Sequence, residues 1–393
     1  MAERPLERLE RFAIDVILER RYGKRAALLR FFLLLLSKIY EQITRLRWWL
    51  YDQHVFKSYA TGCLVISVGN LTVGGTGKTP VVEKIARLLV ASGRKVAILS
   101  RGYKSKKNKK QSFWRRCWHK LTGRAEDELP RVVSDGHNLL LDATVGGDEP
   151  LMLARNVPGA VVLVDKDRVK CAEYAVRHFG ADTLILDDGY QYFKLKERIN
   201  LLLIDREHPF GNRFLLPRGT LREPRDFLKR GDLMLITKCD GSETTLLEHQ
   251  LRHWNQHADI LHLVHAPHHL QNAMSGERIN LDYLQSRKIG AICGIAVPAS
   301  FKHGIEKLGA EVIYWREYAD HHVFTEKEIR NALERTRMRG GYALLMTEKD
   351  AVRLPSLDDI DIPILFLRVE IESLDKEKGF EQSILDICSS RVT

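Results

Sequence analysis

Apolar residues along this chain come mostly in short unbroken runs, separated by polar stretches with helical spacing. Leu64-Val65-Ile66-Ser67-Val68, Lys95 to Ser100, Val161 to Val164, Thr183 to Leu186, Leu201 to Ile204 and Leu233 to Ile236 are such runs. Helical spacing fills 81–92, 149–156 and 168–179 between them. Strands apolar on both faces and alternating with helices predict a parallel sheet covered on both sides. A second set follows, with strands at 260–264, 288–295, 312–314, 343–346 and 364–367 and helices near 299–308, 325–337 and 376–389. From Glu207 to Gly231 the chain is rich in Arg, Pro and Gly without periodicity, and reads as a functional loop or interlobe linker. The expected fold is α/β: an N-terminal helical segment over 1–55, a nucleotide-binding lobe with a parallel sheet over 56–232, and a second, smaller α/β lobe over 233–393.

The first segment has its own pattern. Residues 1–24 are strongly charged, with Leu6, Leu9, Ala13, Val16 and Ile17 along one helical face. Ala26 to Leu36 is apolar but for Arg30, and is shorter than the roughly 20 residues a spanning helix needs. Arg20, Arg21, Lys24, Arg25, Lys38, Arg45, Arg47, Trp48 and Trp49 flank it. Basic flanks, aromatic anchors and an apolar face fit a helix lying in a membrane interface. They also fit a helix or helical hairpin packed on the catalytic domain.

Charge adds an anionic partner. The 393 residues carry 62 Lys and Arg against 51 Asp and Glu, a net +11, which suits nucleic acid, phospholipid headgroups or a phosphorylated substrate. A basic, Trp-containing stretch from Lys104 through Trp118 is either a contact of this kind or a solvated insertion. The six cysteines are widely spread with no C-x-x-C pair, so neither a disulfide framework nor a zinc site is expected, and a reducing compartment fits. No pattern reads as a cleavable signal.

The chemistry gathers at strand ends. Gly74-Gly75-Thr76-Gly77-Lys78-Thr79-Pro80 stands between the first strand and a helix, the context of a phosphate-binding loop. Glycines let backbone N–H groups crowd a phosphate, and the helix N-terminus adds positive partial charge. Lys78 would reach the β/γ-phosphates and the Thr79 hydroxyl a Mg²⁺ ion, although Thr72 stands where the generic pattern has its first glycine. Asp187-Asp188-Gly189 ends another apolar strand and supplies carboxylate for the same metal. Arg101-Gly102-Tyr103 follows the second strand, where open sheets place ligand contacts.

Other residues leave two readings open. Gly147-Asp148-Glu149-Pro150 is either a capped helix start or a general base beside a metal-side carboxylate. Asp320-His321-His322 is either a surface pair of histidines or a carboxylate–His couple that handles a hydroxyl proton. Thr347-Glu348-Lys349-Asp350 is a helix cap or a cleft-facing strand end, and Arg218, Arg222 and Glu223 are solvated or bind an anion. His265, His268 and His269 lack a metal pattern and are expected to be structural.

Together these motifs resemble the tetraacyldisaccharide 4′-kinase family of the lipid A pathway in Gram-negative bacteria. The matching residues are Val68 through Pro80, Ser100 to Tyr103, Gly147 to Pro150, Asp165 with Arg168, Asp187 to Gln191, Leu221 to Pro224, Ala319 to His321 and Met346 to Val352. Thr72 is the residue this family carries in its loop. The resemblance implies transfer of the ATP γ-phosphate to the 4′-hydroxyl of a tetraacyl glucosamine disaccharide 1-phosphate, giving lipid IVA. It implies ATP and Mg²⁺ as cofactors, a seat on the cytoplasmic face of the inner membrane, and no nucleic-acid partner. By the same resemblance Asp148 is the catalytic carboxylate, coupled to His321 from the other lobe, so that lobe closure assembles the site. Glu149, Asp187, Asp188 and Thr79 serve Mg²⁺, Gly74 to Thr79 hold the phosphates, and Arg101, Tyr103, Arg168, Arg222 and Glu223 face the substrate. Two features depart from the family: Tyr192 stands where it has His, and the insertion from Lys104 to about Arg124 is longer.

The rival reading is a P-loop regulatory NTPase or metallochaperone. Thr237-Lys238-Cys239-Asp240 fits the Thr-Lys-x-Asp pattern by which such switches read guanine.

Overall fold

A computed structural model describes residues 12–102, 129–196, 199–375 and 379–390. Tyr103, the insertion 104–124, Leu6 and Leu9 lie outside the described residues. In chain order the strands are β1 (Leu64–Asn70), β2 (Val96–Ser100), β3 (Arg131–Asp135), β4 (Val161–Val164), β5 (Thr183–Asp187), β6 (Ile199–Asp205) and β7 (Leu233–Thr237). They continue with β8 (Asp259–Asn272), β9 (Arg278–Ile279), β10 (Lys288–Cys293), β11 (Glu311–Glu317), β12 (Ala343–Thr347) and β13 (Ile364–Ser373). The protein is mixed α/β with predominantly parallel strands, as its alternating pattern predicts. It divides into two compact units, each drawn from separate stretches of chain.

The first unit comprises Met1–Val82, Ile185–His265 and Glu372–Thr393. Here β1 pairs in parallel with β6, β6 with β7, and β7 with the start of β8. Every residue of β1 is buried, so its unbroken apolar run reflects cover on both faces. The stretch Glu207 to Gly231, expected to be a loop, is well packed: Phe210, Leu215, Leu221, Phe227 and Leu228 join one core with Leu71, Tyr190 and Met234. Its side chains, rather than any periodicity, hold it in place.

The N-terminal segment forms one long helix, Lys24–Asp52, two and a half times the length of the apolar run inside it. One face is anchored to the first unit. Ser37 Oγ donates to the Leu215 carbonyl (2.9 Å), Tyr40 Oη to the Arg222 carbonyl (2.9 Å), and Arg45 pairs with Asp226 (2.7 Å). Trp48 packs on Phe227 with ring centroids 5.4 Å apart. The opposite face exposes Leu28, Phe31, Phe32, Leu35, Leu36, Ile39, Ile43 and Leu46, singly or as adjacent pairs that recur every three or four residues. The reading as a helix packed on the domain holds for one face, and the other face leaves an apolar stripe exposed. Among the described residues no helix is long and apolar enough to cross a membrane.

The second unit comprises Glu83–Leu184 and Ala266–Ile371. One part pairs β2 with β4 in parallel and β4 with β3 antiparallel. The other pairs β10 in parallel with β11 and β12, and β12 with β13. Helix Glu326–Met338 opens with a capping box between Thr325 and Glu328, and it buries Ile329, Ala332 and Leu333.

Candidate active site

β1 ends at Asn70, and the chain turns through the glycine-rich loop into helix Lys78–Ala91. Asn70 shapes that loop: its Nδ2 donates to the Thr72 carbonyl (2.8 Å) and its Oδ1 accepts from Lys78 Nζ (3.1 Å). Gly77 has to be glycine. Its φ is +76°, and a Cβ there would lie 2.4 Å from Nε2 of His265. Thr76 Oγ1 is buried without a partner among the described residues, a donor placed where a phosphate oxygen would satisfy it.

Opposite the loop, β5 delivers Asp187, 5% exposed, and then Asp188 with φ +55°. Asp188 lies between two cations. Arg222 Nη1 donates to both of its oxygens (2.8 and 2.7 Å), and Lys78 Nζ stands 3.5 Å away. Burial pushes the Asp188 carboxyl up, but Lys78 and Arg222 outweigh it and hold it below its ordinary value. Arg222 reaches this place because its segment is laced to the loop: Arg222 N donates to the Leu71 carbonyl and Val73 N to the Thr220 carbonyl, both at 2.7 Å. Glu223 points elsewhere. It is 1% exposed and accepts from Gln191 Nε2 (3.1 Å) and Arg230 Nη2 (2.7 Å), which places it as a brace under the loop.

These oxygens suit Mg²⁺, a hard cation that keeps waters and takes one or two carboxylates plus nucleotide phosphates. Asp187, Asp188 and the Thr79 hydroxyl are the donors at hand. No group of three or more His, Cys, Asp or Glu among the described residues forms a metal cage on its own, and this mode of binding needs none.

A separate cluster lies in the second unit. Helix Asp148–Asn156 is capped by Gly147 with no side-chain cap bond, so Asp148 is not spent on capping. Its Oδ2 meets Nδ1 of His321 at 2.9 Å and Nε of Arg353 at 3.4 Å. Lys349 Nζ lies 3.3 Å from His321 Nε2 and 3.0 Å from Glu149 Oε1. An ammonium only donates, so Nε2 is the accepting nitrogen and Nδ1 carries the proton it gives to Asp148. His321 holds this position with φ +62°, its amide bonded to the Gly294 carbonyl (3.1 Å). Buried Asp350 fixes the surroundings by accepting from Gly294 N (3.1 Å) and Arg353 Nη2 (2.8 Å). In place of two lobes that must close to form the pair, one compact unit holds both Asp148 and His321.

The remaining expected residues stand at the ends of other elements. Arg101 is exposed at the end of β2, and Arg168 is buried at the head of helix Arg168–Phe179, whose cap is Asp167. The pattern singled out neither Lys349 nor Arg353 as partners of the acid and histidine. His265, expected to be structural, packs on the phosphate loop, and burial, followed by the nearby Lys238 cation, pushes its imidazole down to about 4.

The family model described as tetraacyldisaccharide-1-P 4′-kinase matches residues 29–116 and 122–389. The chain belongs to this family. The tetraacyldisaccharide 4′-kinase of Syntrophus aciditrophicus is 37% identical over 347 residues, covering 86% of this chain and 87% of that one. The one from Anaeromyxobacter sp. (strain K) is 40% identical, with 82% and 80% covered. LpxK from Aquifex aeolicus, a crystal structure in complex with ATP, is 28% identical with a TM-score of 0.70, covering 91% of this chain and 99% of that one. Within the matched ranges, Lys78, Asp188 and Arg222 cluster in one unit and Asp148 and His321 in the other.

Proposed function

We propose that this protein transfers the γ-phosphate of ATP to the 4′-hydroxyl of a tetraacyl glucosamine disaccharide 1-phosphate, a step of lipid A biosynthesis that yields lipid IVA. The observation that carries the reading is the Asp148–His321 pair, 2.9 Å apart, with its tautomer set by Lys349. Family membership supplies the substrate.

Phosphoryl transfer asks a protein chiefly for positioning and neutralisation of charge. The loop N–H groups and Lys78 hold the nucleotide phosphates, and Arg222 adds a second cation beside Asp188. Asp187, Asp188, Thr79 and Glu149 are the groups that would hold Mg²⁺, which when bound would neutralise charge on the nucleotide phosphates. Asp148 accepts the proton of the sugar hydroxyl as the new bond forms. Its Oδ2 is taken by His321 and Arg353, which leaves Oδ1 for that proton. His321 orients the carboxylate and spreads its charge. Arg101 and Arg168, with Tyr103, are assigned to the anionic substrate.

The acyl chains of such a substrate stay in a bilayer, so the enzyme works at its surface. The exposed apolar face of helix Lys24–Asp52, rimmed by Lys24, Arg25, Lys38 and Arg47, supports docking on the cytoplasmic face of the inner membrane as a peripheral protein.

The test is transfer of labelled γ-phosphate from ATP to purified disaccharide 1-phosphate in detergent, with a no-lipid control. Label on the lipid, dependent on Mg²⁺ and reduced about a hundred-fold or more in kcat by Asp148→Asn, is expected. Label released as free phosphate regardless of lipid would point to the regulatory NTPase instead.

A further inference from the structure

The Thr-Lys-Cys-Asp stretch at the end of β7 is not used by the chemistry above, yet it is tied to the phosphate loop. Thr237, fully buried, donates from Oγ1 to the carbonyl of Thr76 (2.9 Å), one residue before Gly77. Lys238, with φ +59°, pairs with Asp205 at the end of β6 (2.5 Å). Cys239 N donates to the Leu263 carbonyl (2.9 Å), which pins the segment to β8. In an open parallel sheet the ligand sits beyond the carboxyl ends of the strands. The Thr237 tie sets the residues that follow β7 beside this loop, where a nucleotide base can meet them, and Asp240 is the first carboxylate among them.

Elementary hydrogen bonding says what such a carboxylate selects. Guanine offers two parallel N–H donors on its Watson–Crick edge, which one carboxylate accepts together. Adenine offers a donor beside an acceptor, which a carboxylate cannot match. An unencumbered Asp240 would favour guanine. It is not unencumbered: Oδ2 accepts from Arg206 Nη2 (2.7 Å), and Oδ1 accepts from Ser242 N (3.0 Å) and Ser242 Oγ (2.6 Å). Arg206 is itself set for this contact, with Nε donating to the Lys238 carbonyl (3.3 Å) and Nη1 to Ser242 Oγ (2.5 Å).

We infer that Arg206 determines base specificity by occupying the carboxylate of Asp240, so that a guanine-reading strand end serves an adenine nucleotide. The inference rests on the kinase reading for the presence of a nucleotide in the loop. It concerns the choice of base and not the transfer step.

The experiment measures ADP and GDP binding to the full chain by calorimetry, for wild type, Arg206→Ala, Arg206→Gln and Arg206→Ala/Asp240→Asn. Arg206→Gln keeps a donor for the Lys238 carbonyl and serves if the alanine variant folds poorly. Freeing Oδ2 from the arginine is expected to shift the GDP-to-ADP affinity ratio about ten-fold or more toward GDP, and the double variant should lose that shift. A ratio within about two-fold of wild type in both Arg206 variants would overturn the inference, as would a shift that survives Asp240→Asn. Wild type that binds neither nucleotide would remove the kinase reading together with it. Normal ADP binding with an unmoved ratio would remove the inference alone.

Discussion

His265 offers a prediction whose sign and size both follow from its place against the phosphate loop. Its ring covers Gly77, Nδ1 is buried without a partner among the described residues, and Lys238 is close. Burial, and after it the lysine charge, lower its pKa from 6.5 to about 4. In the unfolded chain the same imidazole takes its proton near 6.5. Between these values the unfolded state binds more protons than the folded one, so stability rises with pH. The contribution is fully present above 6.5 and is lost as pH falls through about 4, and the gap corresponds to ~3 kcal/mol. About 2 kcal/mol of it has gone by pH 5. The perturbation is His265→Phe, which keeps the ring and removes the titration. Urea midpoints at pH 7.5 and pH 5 should fall further in wild type than in the variant, and an NMR titration should find this imidazole still neutral at pH 5.5. An imidazole that titrates near 6.5, or equal losses in the two proteins, would refute the reasoning.

Two further outcomes are expected. Gly77→Ala puts a methyl group against His265 at a left-handed backbone position, so ATP binding measured by calorimetry should fall below detection while the thermal melt stays cooperative; ATP affinity within a few-fold of wild type would contradict the close packing. Phe32→Glu with Leu35→Glu, on the exposed face of the long helix, should abolish co-sedimentation with anionic vesicles and leave ATP binding unchanged. Deletion of the whole helix is a poorer test, because Ser37, Tyr40 and Arg45 anchor it.

Much of the fold was legible because parallel strands covered on both faces announce themselves as apolar runs: β1, β2, β4, β5, β6, β7 and β12 lie where those runs place them. What escaped the pattern had a physical reason. β3 reads Arg-Val-Val-Ser-Asp and pairs antiparallel, with too few apolar residues to stand out. Helix Thr245–Trp254 fully buries only Leu251, with Leu247 and Trp254 half-buried beside it, so its apolar stripe is too narrow to stand out. Gly147 to Pro150 is ambiguous on its own, since an acid at a helix start serves capping and catalysis equally well. What separates the two is a histidine 173 residues away, which local spacing cannot reveal. The family motifs pointed to Asp148 and His321, but not to the Lys349 contact that fixes which nitrogen carries the proton. His265 was illegible for a related cause: it matters through the space it fills beside Gly77 and not through a motif.

The left-handed backbone at Asp188 and His321 gives the chain a particular evolutionary geometry. Each residue sits in a conformation that costs an L-residue about 1 kcal/mol and that glycine or asparagine adopts more readily. At both positions the change that relaxes the backbone also deletes the group assigned to metal or proton handling. Selection for thermal stability alone would drift toward glycine or asparagine at 188 and 321 and return sturdy, inactive proteins. A thermostability screen of this enzyme therefore needs an activity gate at those two codons, where tolerance to heat and retention of function pull in opposite directions.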